Sequence, residues 1–391
     1  MSNQSRPRVG VIGGGVIGVS SAYHLARRGA KVYLVTEESL ANGASGRSLS
    51  WINSAGIRSE HYHRFRMIAI DRYRTLFAGQ PTLNWLRFDG GLRWPRPEQV
   101  HTLGEIHAHE VAHGYDSQLF TPDQVAARIP GVNPAAIPAS GAIWNPGEGW
   151  VDLPSLINYL AQELIKLGGQ LITEAGPASV STRAGRVSAM KTADQRDIEV
   201  DAALLATGSK VPEMAAELGI PIPDASTTAL SIKTRLVESP LRVVLNTPRA
   251  SLRPTPDGTL AVDSDWTEPF IEMQADGTYR VPAETIKELL AEASQLLAGT
   301  PHLRAASHRI GPKPIPGDGE PVLGQLGDIT GLYVAFTHSG ATLALIIGEL
   351  LAYEMITGQP HPLLAPFTVR RFTTQHPPSR GGIQWPRQTS R

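Results

Sequence analysis

The chain has 391 residues, 41% of them hydrophobic, and 36 basic side chains balance 36 acidic ones. That length supports a large core in two domains or one elaborated domain, and the charge balance excludes a global field for nucleic acid or an anionic membrane. Cysteine is absent, which removes disulfides, thiolate metal sites, a cysteine nucleophile and any cofactor anchored through cysteine.

Met1–Pro7 is polar and lacks the apolar stretch of a secretion signal, and no uninterrupted run of 18 apolar residues follows. The expectation is a cytoplasmic protein without a membrane span. Arg8–Ile12 reads as a short apolar strand that meets Gly13-Gly14-Gly15-Val16-Ile17-Gly18 and becomes a helix. Gly13, Gly15 and Gly18 have G-x-G-x-x-G spacing. The first glycine permits a tight turn, the second lets a pyrophosphate approach the backbone, and the third lets helix pack on strand. Ser20–Gly29 completes the helix and Ala30–Val35 returns as a second strand, the setting in which the motif predicts an ADP-containing dinucleotide. An acidic residue normally closes that second strand on the ribose hydroxyls. Thr36 stands there, with Glu37 and Glu38 following, so either Glu37 takes the role or the Thr36 hydroxyl substitutes.

Ala41–Ser48 is a loop of small residues, and Tyr62–Phe77 has helical spacing; the arginines of Arg58–Arg74, interleaved with apolar residues, read as a helix face rather than a polyanion site. Pro81–Pro146 is punctuated by Gly and Pro, with a short helix expected after the Thr121 cap. Asp152 opens a second amphipathic helix that Gly168-Gly169 ends. Gln170–Thr173, Arg186–Met190 and Ile198–Val200 read as a β-meander, and Ala202–Ala206 as a buried parallel strand. Thr227–Arg280 alternates like antiparallel sheet. A helix over Ala283–Leu297, a strand over Gly331–Phe336 and a helix over Thr342–Thr357 follow, and 373–391 reads as a disordered polar tail. The fold class is therefore α/β. A Rossmann-like nucleotide domain (7–80, 151–225, 306–372) carries an inserted antiparallel-sheet substrate domain of α+β character (81–150, 226–305).

Four segments in this order resemble the D-amino-acid oxidase/sarcosine oxidase/glycine oxidase superfamily of FAD-dependent oxidoreductases, over roughly Val9 to Phe372. They are Gly13–Gly18 with its helix, Gly43–Ser48, Leu204–Ser209, and Gly311–Gly324 joined to Gly331–Leu343. The resemblance implies FAD as cofactor. Val16, Ile17, Ser45, Gly46, Arg47 and Ser48 would hold the pyrophosphate and ribityl chain, and Ala206, Thr207, Gly208 and the Ala178 backbone the ADP part. Lys313, His338, Ser339, Gly340, Ala341 and Thr342 would lie against the flavin, where a helix start stabilises negative charge near N1 and the C2 carbonyl. It also implies oxidation of a C–N bond in an amino acid or secondary amine by hydride transfer to flavin N5, with oxygen or another acceptor reoxidising it. Two rivals keep the flavin: oxidation of an alcohol or hydroxy acid, and a non-catalytic flavin-binding protein.

His338 stands where relatives carry a carboxylate-binding arginine, which puts a simple α-amino acid in doubt. It is a candidate for a flavin- or substrate-facing donor, or else caps the helix that follows. Arg253 is the second catalytic candidate, a possible bidentate receptor for a substrate carboxylate, or else an edge-strand arginine. No lysine falls between Lys233 and Lys287 to match the oxygen-activating lysine of the sarcosine oxidase branch, leaving oxidase against dehydrogenase open. Trp51 reads as a core aromatic. His101, His107, His109 and His113 cluster without a third-ligand motif, so no metal is expected.

Overall fold

The computed structural model describes residues 6–96 and 101–372; the tail expected over 373–391 lies outside the described residues. A six-stranded sheet runs in the order Val322–Gln325, Leu332–Phe336, Ala202–Leu205, Arg8–Ile12, Lys31–Val35, Gln170–Ile172. Its pairings are parallel except for Val322–Gln325. Ala202–Leu205 and Leu332–Phe336 are buried along their whole length, as continuous apolar strands covered on both faces must be.

Helices Val16–Arg27, Leu153–Lys166 and Gly340–Thr357 contribute to one core, and a three-stranded antiparallel sheet with helix Val211–Glu217 covers another. That small sheet corrects one expectation. Its strands are Ser179–Arg183, Arg186–Lys191 and Asp197–Glu199, whereas Gln170–Ile172 is the edge of the parallel sheet. The chain leaves Lys31–Val35, and the helix Leu153–Lys166 returns it beside that strand, so Gln170–Ile172 completes a parallel crossover rather than a hairpin.

The helix Gly340–Thr357 is long and apolar enough by length and composition to cross a membrane, although Glu349 and Glu354 interrupt it. Here it is 67% buried. A Cβ at Gly348 would stand 2.5 Å from the Ser20 hydroxyl oxygen, so the two helices approach almost backbone to backbone.

An eight-stranded sheet forms the second unit, in the order Ala305–Lys313, Thr227–Thr234, Leu260–Asp263, Ser251–Pro254, Val244–Asn246, Gly91–Arg93, Ala142–Asn145, Gln118–Phe120. Two excursions from the nucleotide domain thus meet edge to edge. The junction between Val244–Asn246 and Gly91–Arg93 is parallel, so the sheet is mixed rather than wholly antiparallel. Ala305–Lys313 also carries the sheet past the expected break at 305/306, because it pairs along the whole of Thr227–Thr234. Helix Ala283–Gln295 contributes to the core of this unit. Thr121 and Gln124 form a reciprocal capping box, and the Asp152 carboxylate accepts from the Ser155 N–H, satisfying helix-start donors as their sequences suggest.

Candidate active site

The glycine turn is built by close approach. Gly13 has φ +128°, and a Cβ there would overlap the Ala206 carbonyl; one at Gly18 would overlap the carbonyl of Gly13. A Cβ at Gly15 would meet only the Ser45 hydroxyl, at 3.3 Å. That leaves the first turn of the helix open on the side where a pyrophosphate approaches. Ser45 accepts from the Val16 N–H at 3.0 Å, tying the small-residue loop to the helix start. Arg47 donates to the carbonyls of Asn42 (3.1 Å) and Pro312 (3.3 Å), while its buried Nε has no partner. Arg309 bonds the carbonyls of Gly46 and Asn42. The Ser48 hydroxyl accepts from the Ser50 N–H and so shapes its own turn. An anion fits this cradle of open N–H groups, hydroxyls and arginines, and FAD would place its pyrophosphate there.

At the end of Lys31–Val35, Thr36 is buried with its hydroxyl over Gly14. Glu37 reaches the surface and pairs with Lys210 at 2.5 Å, and Glu38 pairs with Asn42. Thr207 donates to the Met214 sulfur at 3.2 Å, Gly208 turns with φ +62°, and Ala178 is half-buried at the entrance to the small sheet.

The terminal helix starts beside the first one. A Cβ at Gly340 would lie 3.7 Å from Val16 and 3.9 Å from Ile17. The two helix N-termini therefore lie side by side, so one bound group could meet both sets of free N–H donors. Ala341 accepts the Tyr73 hydroxyl through its carbonyl at 2.6 Å. Thr342 is buried, and its hydroxyl bonds the Trp51 carbonyl and the Asn53 N–H, so this side chain ties elements together. Ser339 accepts from the Tyr62 hydroxyl (2.7 Å) and from Arg66 Nη1 (2.5 Å).

His338 is exposed in the turn between the strand Leu332–Phe336 and the terminal helix, with many protein atoms around it. Loss of bulk water and the charges of Lys313, Arg66 and Arg58 push it down to about 4, against the opposing pull of Asp265. Water reaching the ring tempers that displacement, but the direction keeps the imidazole neutral. Lys313 bonds Asp265 (2.9 Å) and Glu268 (2.5 Å), so its charge is compensated inside the protein. Arg253 is a correction. Only 3% of its side chain is exposed, and it donates to the carbonyls of Leu49 (2.5 Å) and Pro254 (2.8 Å), 3.6 Å from Asp152 and over the Trp150 ring. Its fork is committed to holding the Leu49 turn against the large sheet, which leaves no face for a substrate carboxylate.

Arg58, Tyr62 and Arg66 were not singled out by the sequence, where the arginines read only as a helix face. Arg66 is 2% exposed. It bonds the Asn53 carbonyl and side chain, Tyr62, Ser339 and Thr342, none of them charged. The available signal was spacing, since 62 and 66 stand four residues apart on one side of the helix Glu60–Gly79 and Arg58 lies just before its N-cap.

The model for the FAD-dependent oxidoreductases, the DAO family, matches residues 8–354. The chain belongs to this family. It is 26% identical to a glycine oxidase of Pseudomonas aeruginosa over 92% of this chain and 97% of the relative. To a D-amino acid dehydrogenase of Agrobacterium fabrum it is 23% identical over 90% and 96%. Among solved structures, glycine oxidase from Geobacillus kaustophilus superposes with a TM-score of 0.78 at 20% identity, covering 95% of this chain and 99% of that one. L-proline dehydrogenase from P. horikoshii gives 0.77 at 20% identity, over 94% and 98%.

This FAD-dependent oxidoreductase also carries a buried polar network. Glu148 accepts from Trp51 Nε1 at 2.8 Å and from the Tyr115 hydroxyl, and Tyr115 accepts from the Ser54 N–H at 2.7 Å. Trp51 is thus half-buried and bonded to a carboxyl. Glu110 takes Arg93, the Gly56 N–H and Ser117. The clustered histidines serve this scaffold: His107 bonds Ser117, and His109 stacks on His113 with centroids 4.1 Å apart. Burial pushes Glu148 up to about 8, against the Tyr115 bond and the Arg93 charge. The folded protein then holds a proton that the unfolded chain releases near 4.5, so this group lowers stability as pH rises from about 4.5 to about 8. Glu148→Gln should flatten that decline. Urea denaturation midpoints at intervals across the window test it, and a parallel decline in both proteins would refute it.

Proposed function

We propose that this enzyme oxidises the C–N bond of an amino acid or secondary amine. The observation that carries the reading is the meeting of the two helix starts at Val16–Ile17 and Gly340 beside His338 and a buried arginine. Relatives named for glycine and proline support it. FAD, when bound, supplies the two-electron acceptor. The protein's part is to orient and desolvate. The open N–H groups at Gly340–Thr342, with Arg66 behind Ser339, oppose negative charge at that end of the cofactor. Neutral His338 has one acceptor nitrogen and one donor, so it can hold an amine N–H without protonating it. An amine kept neutral retains the lone pair that drives hydride loss from its carbon.

Purified protein should be yellow, with a band near about 450 nm. Anaerobic bleaching by a panel of D-amino acids, L-amino acids and N-methyl amino acids tests the substrate class. Release of ammonia or a primary amine is the expected product signature. Failure of every amine to reduce the flavin would overturn the reading.

A further inference from the structure

Three cations act on His338, and they differ in what balances them. Lys313 has two carboxylates, and the donors of Arg66 are engaged by neutral groups. Arg58 has neither. Its buried Nε has no hydrogen-bond partner, and among the described residues no carboxylate stands within ion-pair distance of its guanidinium. The neighbouring acids are engaged elsewhere: Glu110 with Arg93, Glu148 with Trp51 and Tyr115, Glu320 with Ser59 and His61. Arg58 and Arg66 lie 5.5 and 5.3 Å from the centroid of the same Tyr62 ring. Two guanidiniums sharing one ring, one buried and one half-buried and neither with an acid, form an arrangement that an anion would relieve.

The segment bearing Arg58 is also fixed in advance. Four successive anchors hold its backbone: Ser54 N–H to Tyr115 (2.7 Å), Ala55 N–H to Asn53 (3.1 Å), Gly56 N–H to Glu110 (2.6 Å) and Arg58 N–H to His109 (3.4 Å). A side chain on so constrained a turn loses little freedom when it binds. Since Arg66 is already filled, one guanidinium charge remains available, which suits a carboxylate monoanion better than a phosphate dianion.

We propose that Arg58 is the specificity-determining residue that takes the carboxylate of the substrate, on a platform made by Tyr62 and Arg66 beside His338. This rests on the C–N oxidation reading for the identity of the ligand, while the anion site stands on its own geometry. It relocates carboxylate recognition to the loop before the helix Glu60–Gly79, away from His338, Lys313 and Arg253, none of which offers an uncompensated charge.

The test uses FAD-loaded wild-type protein with Arg58→Gln and Arg58→Lys, and titrates acetate and benzoate against acetamide by flavin absorbance and by calorimetry. Wild type should bind the carboxylates and not the amide. Arg58→Gln should weaken carboxylate binding about 30-fold or more, as losing one member of a partly desolvated charge pair does, and Arg58→Lys should recover part of it. Only variants with wild-type flavin content count, which separates the site from misfolding. With reducing substrates, KM for an amino acid should rise in Arg58→Gln while KM for the matching amine without a carboxylate stays put. Acetate binding through Arg58 in a protein that no amine reduces would keep this site and discard the reaction. Reduction by amino acids with unchanged KM in Arg58→Gln, or wild-type protein that binds neither carboxylate, would discard the site.

Discussion

Gly15→Ala is expected to leave a folded protein that no longer retains FAD. Gly15 has φ −79° and ψ 173°, extended backbone open to any residue, and the added methyl would meet only the Ser45 hydroxyl at 3.3 Å. A hydroxyl can rotate away, so the apoprotein should keep its stability within about 0.5 kcal/mol. The same methyl stands over the first free N–H groups of the helix, where the pyrophosphate must come to hydrogen-bonding distance. Affinity for FAD should fall about 100-fold, equivalent to about 2.7 kcal/mol. Gly13→Ala provides the contrast. There the backbone has φ +128° and the methyl would overlap the Ala206 carbonyl, so apoprotein stability should fall with cofactor affinity. Flavin-to-protein absorbance after gel filtration, with urea midpoints of the apoproteins, reads both quantities. A Gly15→Ala protein that binds FAD as wild type does would remove the glycine turn from the cofactor site.

The parts of this fold that were legible are those where local chemistry and tertiary role agree. Gly13 and Gly18 announce close packing because no other residue fits their geometry, and the capping residues Thr121 and Asp152 announce helix starts because the donors they satisfy are local. Gln170–Ile172 was misplaced because a three-residue strand with two apolar side chains carries no record of which sheet will pair with it. The mixed join between Val244–Asn246 and Gly91–Arg93 lies more than 150 residues apart in the chain, where periodicity is silent. Arg253 and Lys313 were read by charge alone. Their committed partners, the Leu49 carbonyl and the Asp265 and Glu268 carboxylates, come from distant segments. Arg66 was misread for the converse reason. An arginine at helical spacing is usually solvated, and burying one without an acid is unusual enough that no local pattern signals it.

That burial makes Arg66→Met the second variant with a large expected effect, and one whose two consequences separate cleanly. Removing the guanidinium strips partners from the Asn53 carbonyl, the Asn53 side chain and Ser339. Hydrogen bonds from a charged donor to buried acceptors contribute substantially, but the variant also escapes the cost of keeping a cation out of water. The net loss of stability should therefore be about 3 kcal/mol rather than the sum of the bonds. The second consequence is electrostatic. Arg66 stands directly behind Ser339, the residue that precedes the terminal helix, and adds a full charge to the positive end of that helix dipole. A charge so placed is worth about 1–2 kcal/mol to an anion at the helix start, or roughly 20–45 mV for a two-electron couple. The flavin midpoint potential should fall by that amount in Arg66→Met. Arg66→Lys keeps the charge but not the planar fork that reaches Asn53 and Ser339 together, so it should restore most of the potential and little of the stability. A potential that follows stability through both variants would mean that Arg66 only braces the loop, and that the helix start alone sets the charge the cofactor experiences.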